Sequence, residues 1–476
     1  MYRILFLFIA MFVLGSCSEK GKNTRPNILF IFADDLSYEA THSAGNDEVI
    51  TPNIDKLAEA GVTFTHSYNM GGWNGAVCIA SRAMLNTGRF LWRAQSIQPE
   101  YPEMKDNGSF WSLILEKAGY ETYMTGKWHV AIPADSLFQH VRDIRPGMPG
   151  SVPEAYNRPL SPADTSWLPW HKKYGGYWEG GKHWSEVVGD NAIDFLNMAS
   201  KSQKPFFMYL AFNAPHDPRQ SPKKYVDLYP VEKISLPENF QELYPWKDSI
   251  GCGPGLRDER LAPFPRTPYS IKVHRQEYYA IITHLDDQIG RIIAHLKQSG
   301  HDKNTYILFS ADHGLSVGHH GLVGKQNMYD HSMRVPLILA GPDIPENQKR
   351  DMQVYLQDIM ATTLEMAGVE KPEYVEFNSL LPLVRQKTTN SFYPEIYGAY
   401  IDFQRMVRTD NYKLIVYPQA RKILLFDLEN DPLEIYDLSD KPDLQDIKME
   451  LVSRLKNQQK LMEDPLDLHS YFPDLF

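Results

Sequence analysis

At 476 residues the chain is well beyond single-core size and suits one large domain with a smaller one beside it. With 43% hydrophobic and 23% charged residues it can bury a substantial core, which excludes a disordered chain. A net charge of -10 argues against a nucleic-acid partner, whose phosphates need a basic face; a small anionic ligand stays open, because there the local field decides.

The chain starts "MYRILFLFIAMFVLGSCSEK": Arg3, then an apolar run from Ile4 to Leu14, then "LGSC". Length and flanks read as a signal peptide, too short for a spanning helix. The ending resembles a bacterial lipobox, in which Cys17 becomes the lipidated first residue of the mature protein. Residues 1–17 are therefore expected to be a lipoprotein signal, and the mature chain an exported, periplasmic or outer-membrane-associated lipoprotein anchored at Cys17. If Cys17 carries lipid, only Cys78 and Cys252 remain, and one disulfide would be a poor staple for so large a core, so none is expected.

Strand and helix signals then alternate. "RPNILFIFADD" holds an apolar run from Ile28 to Phe32, the pattern of a strand buried on both faces. "TPNIDKLAEAG" reads as a helix with Thr51 and Pro52 at its start and Gly61 at its close. A helix ending near Gly119 leads to a short strand, Tyr120 to Met124, and "KPFFMYLAFNAPHDP" supplies another, Phe206 to Phe212. The long helical stretch "RQEYYAIITHLDDQIGRIIAHLKQSG" leads to the strand "TYILFSADHG", and "RVPLILAGP" is one more. Such alternation implies a mostly parallel sheet with helices on both faces. Between Pro146 and Trp184 the pattern lapses into Pro, Gly, Trp and Tyr, as expected for an insertion covering a site. Its aromatic residues suit either stacking on sugar rings or loop packing. Beyond residue 372, "QRMVRTDNYKLIVYP" and "KILLFDLENDPLEIYDL" read as antiparallel strands with a turn at Asn430 to Pro432. A helix with Leu444, Ile447, Leu451 and Leu455 on one side follows. The expected division is 24–372 and 373–476.

In open α/β sheets ligands bind outside the carboxyl ends of the strands. The residues just past those ends are Asp34 and Asp35, Lys127 and His129, His216, and Asp312 and His313. Each alone is explained as a turn or cap residue; together they favour a metal or anion site. Three aspartates with few thiols point to a hard cation, calcium or magnesium, while His313 keeps zinc or manganese open. With Lys127, His129 and Lys325 beside it, such a cation makes a positive pocket for a sulfate or phosphate ester. Cys78 opens the run "CIASRAMLNTGR", at or just before a helix N-terminus, where backbone N–H groups favour negative charge. A thiolate nucleophile and a buried structural cysteine are the two readings of the residue by itself.

"CIASRAMLNTGR" closely resembles the signature of the formylglycine-dependent sulfatases, Cys-x-Pro/Ala-Ser-Arg followed by Thr-Gly-Arg. "ILFIFADD", "TGKWH", "NAPHDP", "ADHG" and "GKQNMYDHSMRVPLI" occur in that family's order, so the resemblance covers nearly the whole chain from Asn27. It implies an alkaline-phosphatase-like α/β fold: a large, mixed, mostly parallel sheet sandwiched by helices in a catalytic domain, with a smaller C-terminal antiparallel sheet plus helix. It also implies that Cys78 is oxidised to formylglycine, that Asp34, Asp35, Asp312 and His313 bind one divalent cation, usually Ca2+, with the modified Cys78, that Arg82 holds the formylglycine hydrate, and that Lys127 and Lys325 contact the sulfate. In the implied mechanism a hydroxyl of the hydrate attacks sulfur, His216 protonates the departing alcohol, and His129 takes a proton from the second hydroxyl to expel sulfate. Two positions depart from the common pattern. Ala80 stands for proline, which points to a sulfatase-maturating enzyme of the anaerobic type, and His313 stands where many members have asparagine.

The substrate expected from the resemblance is a sulfated sugar, an O-sulfate on a glycan or glycosaminoglycan-derived unit. Asp217 and Arg219, just after His216, and His171 and His183 in the insertion are the candidate sugar contacts. The rival readings are a phosphatase or phosphonate monoester hydrolase of the same superfamily, an inactive glycan-binding lipoprotein, and a plain cysteine hydrolase.

Overall fold

The computed structural model describes residues 25–150, 152–388 and 390–476. The expected signal segment and Cys17 lie outside the described residues. The strands in chain order are β1 (Asn27–Ala33), β2 (Gly61–Tyr68), β3 (Gly71–Gly72), β4 (Glu121–Lys127), β5 (His140–Arg145), β6 (Phe206–Ala211) and β7 (Thr305–Ala311). They continue with β8 (Arg334–Ala340), β9 (Gln348–Tyr355), β10 (Ile396–Tyr400), β11 (Gln404–Arg408), β12 (Tyr412–Tyr417) and β13 (Lys422–Asp427).

Eight strands form one sheet in the order β5-β4-β6-β1-β7-β8-β2-β9. At its centre β1 runs parallel to both β6 and β7, and every residue of β1 is buried, as its unbroken apolar run requires of a strand covered on both faces. Two helix groups cover the sheet: Pro268–Gln298 packs with Trp184–Ala199 and Pro52–Glu59, and Val77–Thr87 packs with Trp111–Lys117 and Asp358–Met366. The sheet is mixed because β8 runs antiparallel to β7 and to β2.

Several local readings differ from the structure. Thr51 precedes the helix Pro52–Glu59 without a side-chain cap, and Gly61 opens β2 instead of closing the helix. Gly61 is needed for close approach, since a Cβ there would lie 2.1 Å from the Leu339 carbonyl oxygen of β8. β4 runs three residues beyond the expected Met124 and ends at Lys127. In the C-terminal unit β11, β12 and β13 are antiparallel as read, but the stretch after Asn430 forms no strand. There the Asp431 carboxylate accepts from Tyr436 N–H and Asp437 from Leu425 N–H, so side chains take backbone donors that a ladder would have used. The helix Gln445–Met462 follows, burying Leu451 and Leu455.

The smaller sheet has the order β13-β12-β11-β10-β3, so its last strand comes from the N-terminal part of the chain. The core beneath it joins Met70, Val77, Ala80 and Met84 to Leu414, Phe426 and Leu455. One face of the helix carrying Cys78 is thus seated on the C-terminal unit.

Candidate active site

The helix Val77–Thr87 starts two residues after Gly75 and ends at Gly88, whose φ of 71° allows its N–H to reach the Met84 carbonyl. Cys78 is its second residue, in the first turn, where backbone N–H groups have no partner within the helix. The Cys78 thiol is 1% exposed and lies 3.3 Å from Asp34 Oδ1, 3.7 Å from Asp35 Oδ1 and 3.3 Å from Lys325 Nζ. Burial raises its pKa well above the usual thiol value, and the Asp312 and Asp34 carboxylates add to this. As a thiol it is therefore held protonated, the opposite of what a cysteine nucleophile needs.

The strand ends deliver the charged groups. Asp34 and Asp35 follow β1, and Asp312 and His313 follow β7, its immediate neighbour. Lys127 is the last residue of β4, where the pairing with β5 slips between Thr125 and Gly126. Gly126 takes a φ of 90°, and a Cβ there would meet the Ala211 carbonyl oxygen at 1.8 Å. Only glycine fits this bulge, which re-aims the residue after it. Lys127 Nζ then donates to Asp34 Oδ2 at 2.5 Å. Lys325 Nζ donates to both oxygens of Asp35, at 2.8 and 2.6 Å. Arg82, one turn after Cys78, donates from Nε to Asp312 Oδ2 at 2.8 Å and from Nη1 to the Lys127 carbonyl at 2.8 Å, with its Cζ 4.7 Å from the centre of the Phe32 ring.

Three buried carboxylates, Asp34, Asp35 and Asp312, face three buried cations, Arg82, Lys127 and Lys325, and each side shifts the other's proton affinity. The Asp34 pKa is pushed up to about 6, first by burial and then by Asp312. That of Asp312 is lowered: burial alone would raise it, but Arg82 and Lys127 override. The Lys127 pKa is raised in spite of burial, because Asp34 lies against it.

Asp34, Asp35, Cys78 and His216 each offer one ligand atom, all within 4.8 Å of one another. Asp312 and His313 stand beside this group: Asp312 Oδ1 accepts from Asp35 N–H at 3.2 Å, and the buried Nε2 of His313 has no hydrogen-bond partner among the described residues. Oxygen-rich donors with an unspent imidazole nitrogen fit a divalent cation. The two other histidines differ. His129 has a φ of 56° and an unpartnered, buried Nδ1, and its pKa falls to about 2, first by burial and then by the charges of Lys127 and Arg82. His216 has Nδ1 3.1 Å from Asp217 Oδ1 and Nε2 3.6 Å from Asp35 Oδ2. Burial and Lys325 pull its pKa down, but Asp217, Asp35 and Asp34 outweigh them and it is raised.

Cys78, His129, His216 and Lys325 line a cavity of about 420 Å³. Its other walls are Pro146, Gly147 and Met148 on one loop and Leu256, Arg257 and Asp258 on another. The insertion read as covering a site lines the cavity only with its first residues; Trp167 and Trp178 are buried beyond them, and Tyr177 and Trp184 are buried in the main core, where the Tyr177 hydroxyl donates to the Asn213 and His216 carbonyls. None of the four candidate sugar contacts lines this cavity. His183 is fully buried as the N-cap of the helix Trp184–Ala199, its Nδ1 accepting from Ser185 N–H and its Nε2 bonded to the Gln220 carbonyl, so it has nothing left to offer a sugar. Arg219 is buried over the Tyr278 ring and contacts His274. His171 is exposed beside Trp170 and Tyr174, and Asp217 is buried behind His216 and Arg257. The wall at 146–148 opens the insertion expected to cover a site, whereas residues 256–258 were missed because those residues follow an irregular course, where the sequence shows no period to place them. The charge-dense "GLRDERL" was their one signal.

A carboxylate-rich cation site at the strand ends of a mixed α/β sheet, with a buried cysteine in the first turn of an adjoining helix, defines an ester hydrolase of the sulfatase class. The Sulfatase family profile matches residues 26–369, the greater part of the chain, and the profile N-sulphoglucosamine sulphohydrolase, C-terminal, matches 318–461. The chain belongs to the sulfatase family, the hydrolases of sulfate esters. It is 29% identical to an arylsulfatase of Clostridium perfringens over 87% of this chain and 90% of that one. It is 25% identical to an N-acetylglucosamine-6-O-sulfatase of Bacteroides thetaiotaomicron, over 97% of this chain and 91% of that one. A structure solved with its substrate D-glucosamine-2-N,6-O-disulfate superposes with a TM-score of 0.73 at 23% identity, covering 93% of this chain and 99% of that one.

Proposed function

We propose that the protein hydrolyses an O-sulfate ester on a glycan or glycosaminoglycan-derived sugar, with formylglycine made from Cys78 and one calcium ion held by Asp34, Asp35, Asp312 and His313. The observation that carries this is the meeting of Asp34, Asp35, Lys325 and Cys78 within 3.7 Å at the start of one helix, on the wall of a cavity large enough for a sugar ring. The N-acetylglucosamine-6-O-sulfatase and the structure solved with D-glucosamine-2-N,6-O-disulfate support the substrate class.

When present, the cation supplies Lewis acidity and the formylglycine an oxygen nucleophile in place of the thiol. The rest is done by the chain. Lys325 at the cavity wall and Lys127 behind Asp34 neutralise sulfate oxygens, and the buried, unpartnered Nη2 of Arg82 is a donor left over for negative charge at position 78. His216, whose Nδ1 lies against Asp217 and whose ring lines the cavity, protonates the alcohol as it leaves. His129, kept neutral by burial and its cationic neighbours, accepts a proton from position 78. Two imidazoles line one cavity, His216 backed by Asp217 and His129 beside Lys127 and Arg82, so acid and base are held at separate places. His216→Asn should cut kcat about 10²- to 10⁴-fold on a sugar sulfate, whose alkoxide needs a proton. On 4-nitrophenyl sulfate, whose phenolate leaves unaided, the loss should be much smaller. Equal losses on both esters remove His216 from the acid role.

Ala80 in the cysteine motif supports maturation by an enzyme of the anaerobic type, and "LGSC" supports export as a lipoprotein anchored at Cys17, facing the periplasm or the outer membrane. The deciding experiment is expression with such a maturating enzyme, followed by the mass of the tryptic peptide containing residue 78 and assay of matched sulfate and phosphate esters. A peptide lighter by about 18 Da with preference for the sulfate ester is expected. An intact thiol in active protein, or preference for the phosphate or phosphonate ester, overturns the proposal.

A further inference from the structure

Beyond the charged floor, the cavity has two kinds of wall. Pro146, Met148 and Leu256 give it an apolar side, and Arg257 and Asp258 a polar one. The Arg257 side chain is 31% exposed, yet its guanidinium is fixed from behind. Nε donates to Asp258 Oδ1 at 2.8 Å, and Nη2 reaches Asp217 Oδ1 at 3.3 Å and also contacts Asp258 Oδ1. Both carboxylates are 5% exposed. Asp258 is held in turn by Gln326, which donates from Nε2 to Asp258 Oδ2 at 2.8 Å and to the Gly75 carbonyl at 2.9 Å. Asp217 also contacts His216. Among the described residues the bracing uses Nε and Nη2, which leaves Nη1 as the donor edge for whatever occupies the cavity.

Two carboxylates on one guanidinium decide what that edge suits. A counter-ion for a second anionic group has to carry spare positive charge, and Arg257 carries none: Asp217 and Asp258 both lie against it, and Asp258 itself faces the cavity, while the other cations near these carboxylates, Lys325 at 3.9 Å from Asp258 and His216 at 3.1 Å from Asp217, belong to the reacting centre, Lys325 paired with Asp35. A second sulfate or a carboxylate placed there would meet a carboxylate within the same small volume. An uncharged hydroxyl meets a rigid donor at Nη1 and an acceptor at Asp258, while the C–H face of the same ring suits the Pro146, Met148 and Leu256 side.

We infer that Arg257, braced by Asp217 and Asp258, is the residue that selects the leaving group, hydrogen-bonding an uncharged hydroxyl of the sugar that carries the ester, so that the enzyme prefers a monosulfated sugar to one with a second anion beside the scissile group. This rests on the sulfatase reading and deepens it by naming the substrate class. A site built around a buried donor and acceptor discriminates more sharply than an apolar slot, because a substrate lacking the partner leaves both groups unpaired.

The test compares Arg257→Gln with Arg257→Met, which remove the same charge and so disturb Asp217 and His216 alike, while only Gln keeps a donor. Each is assayed with a panel of monosulfated monosaccharides, with glucosamine 2-N,6-O-disulfate as the two-anion probe, and with 4-nitrophenyl sulfate to track the chemistry. Wild type should cleave its best monosulfated sugar at least tenfold more efficiently, in kcat/KM, than the disulfated one. Arg257→Met should lose at least tenfold more on that sugar than on the aryl ester, mainly through KM, and Arg257→Gln should recover a good part of the difference. Equal losses for Gln and Met on the sugar, equal losses on sugar and aryl ester, or a wild-type preference for the disulfated probe overturns the inference while leaving the sulfatase reading standing. Failure of the matured wild type on every sulfate ester, the aryl one included, rejects that reading and this inference with it.

Discussion

Cys78→Ala should abolish sulfate ester hydrolysis, lowering kcat/KM by about 10⁴-fold or more, as loss of a nucleophile does when its partners cannot act without it. The fold should barely register the change. Alanine suits a helical position, and the thiol has Asp34, Asp35 and Lys325 as its neighbours, of which Lys325 and Asp35 stay paired to each other. The urea midpoint is therefore expected to stay close to that of the parent. This separation of activity from stability is the informative part, because a merely structural cysteine would show the reverse. The buried thiol is held protonated by its surroundings, so sulfur itself is a poor attacking group here. Assays of the variant beside the matured parent, with melting curves for both, check the point. Residual turnover above a few per cent would dismiss position 78 as the source of the nucleophile.

How far the sequence reached depended on how local each signal was. The aspartates after β1 and β7 were legible because both strands are continuous apolar runs, so their ends, and the groups just past them, are marked in the chain. Cys78 was legible as a first-turn residue from the run that follows it and the glycine that ends it. Lys127 was read as lying beyond its strand, whereas it is the last strand residue, aimed by the bulge at Gly126, and a bulge leaves little trace in a hydrophobic pattern. The pairing of β3 with β10 joins Gly71 and Gly72 to residues more than three hundred positions later, so nothing local announced it. His171, His183 and Arg219 were nominated by residue type and nearness in sequence to His216 or to an aromatic insertion. His183 shows why that fails: a histidine whose two nitrogens are taken by backbone groups is indistinguishable in sequence from one with both free. Arg257 and Asp258 face the cavity from a loop whose course is set by Gln326 and Asp217, contacts that exist only after folding.

Arg82→Met should cost both the fold and the reaction. The guanidinium is fully buried, Nε on Asp312, just past β7, and Nη1 on the carbonyl of Lys127, the last residue of β4, so it ties the site's strands to the helix that bears Cys78. Methionine fills much of the volume beside Phe32 but leaves Asp312, among the described residues, with Lys127 at 3.9 Å as its remaining ion-pair partner and Lys325 farther off. Breaking one side of a buried ion pair leaves an uncompensated charge and typically costs about 3–5 kcal/mol. The variant should therefore unfold at markedly lower urea and have no measurable turnover. Arg82→Lys should restore part of the stability and little of the activity, because one ammonium cannot serve Asp312 and the Lys127 carbonyl in a fixed fork and still leave a donor over. Arg82→Met with Asp312→Asn separates the two contributions. Removing the stranded carboxylate should return much of the lost stability, since the cost is the unpaired charge and not the missing volume. Turnover should stay absent, because the cation proposed above then lacks Asp312 as a ligand and position 78 lacks its guanidinium. Urea denaturation of the three variants reads the first effect and assay reads the second. A double variant no more stable than Arg82→Met would show that Arg82 acts through packing on Phe32 and not through its charge.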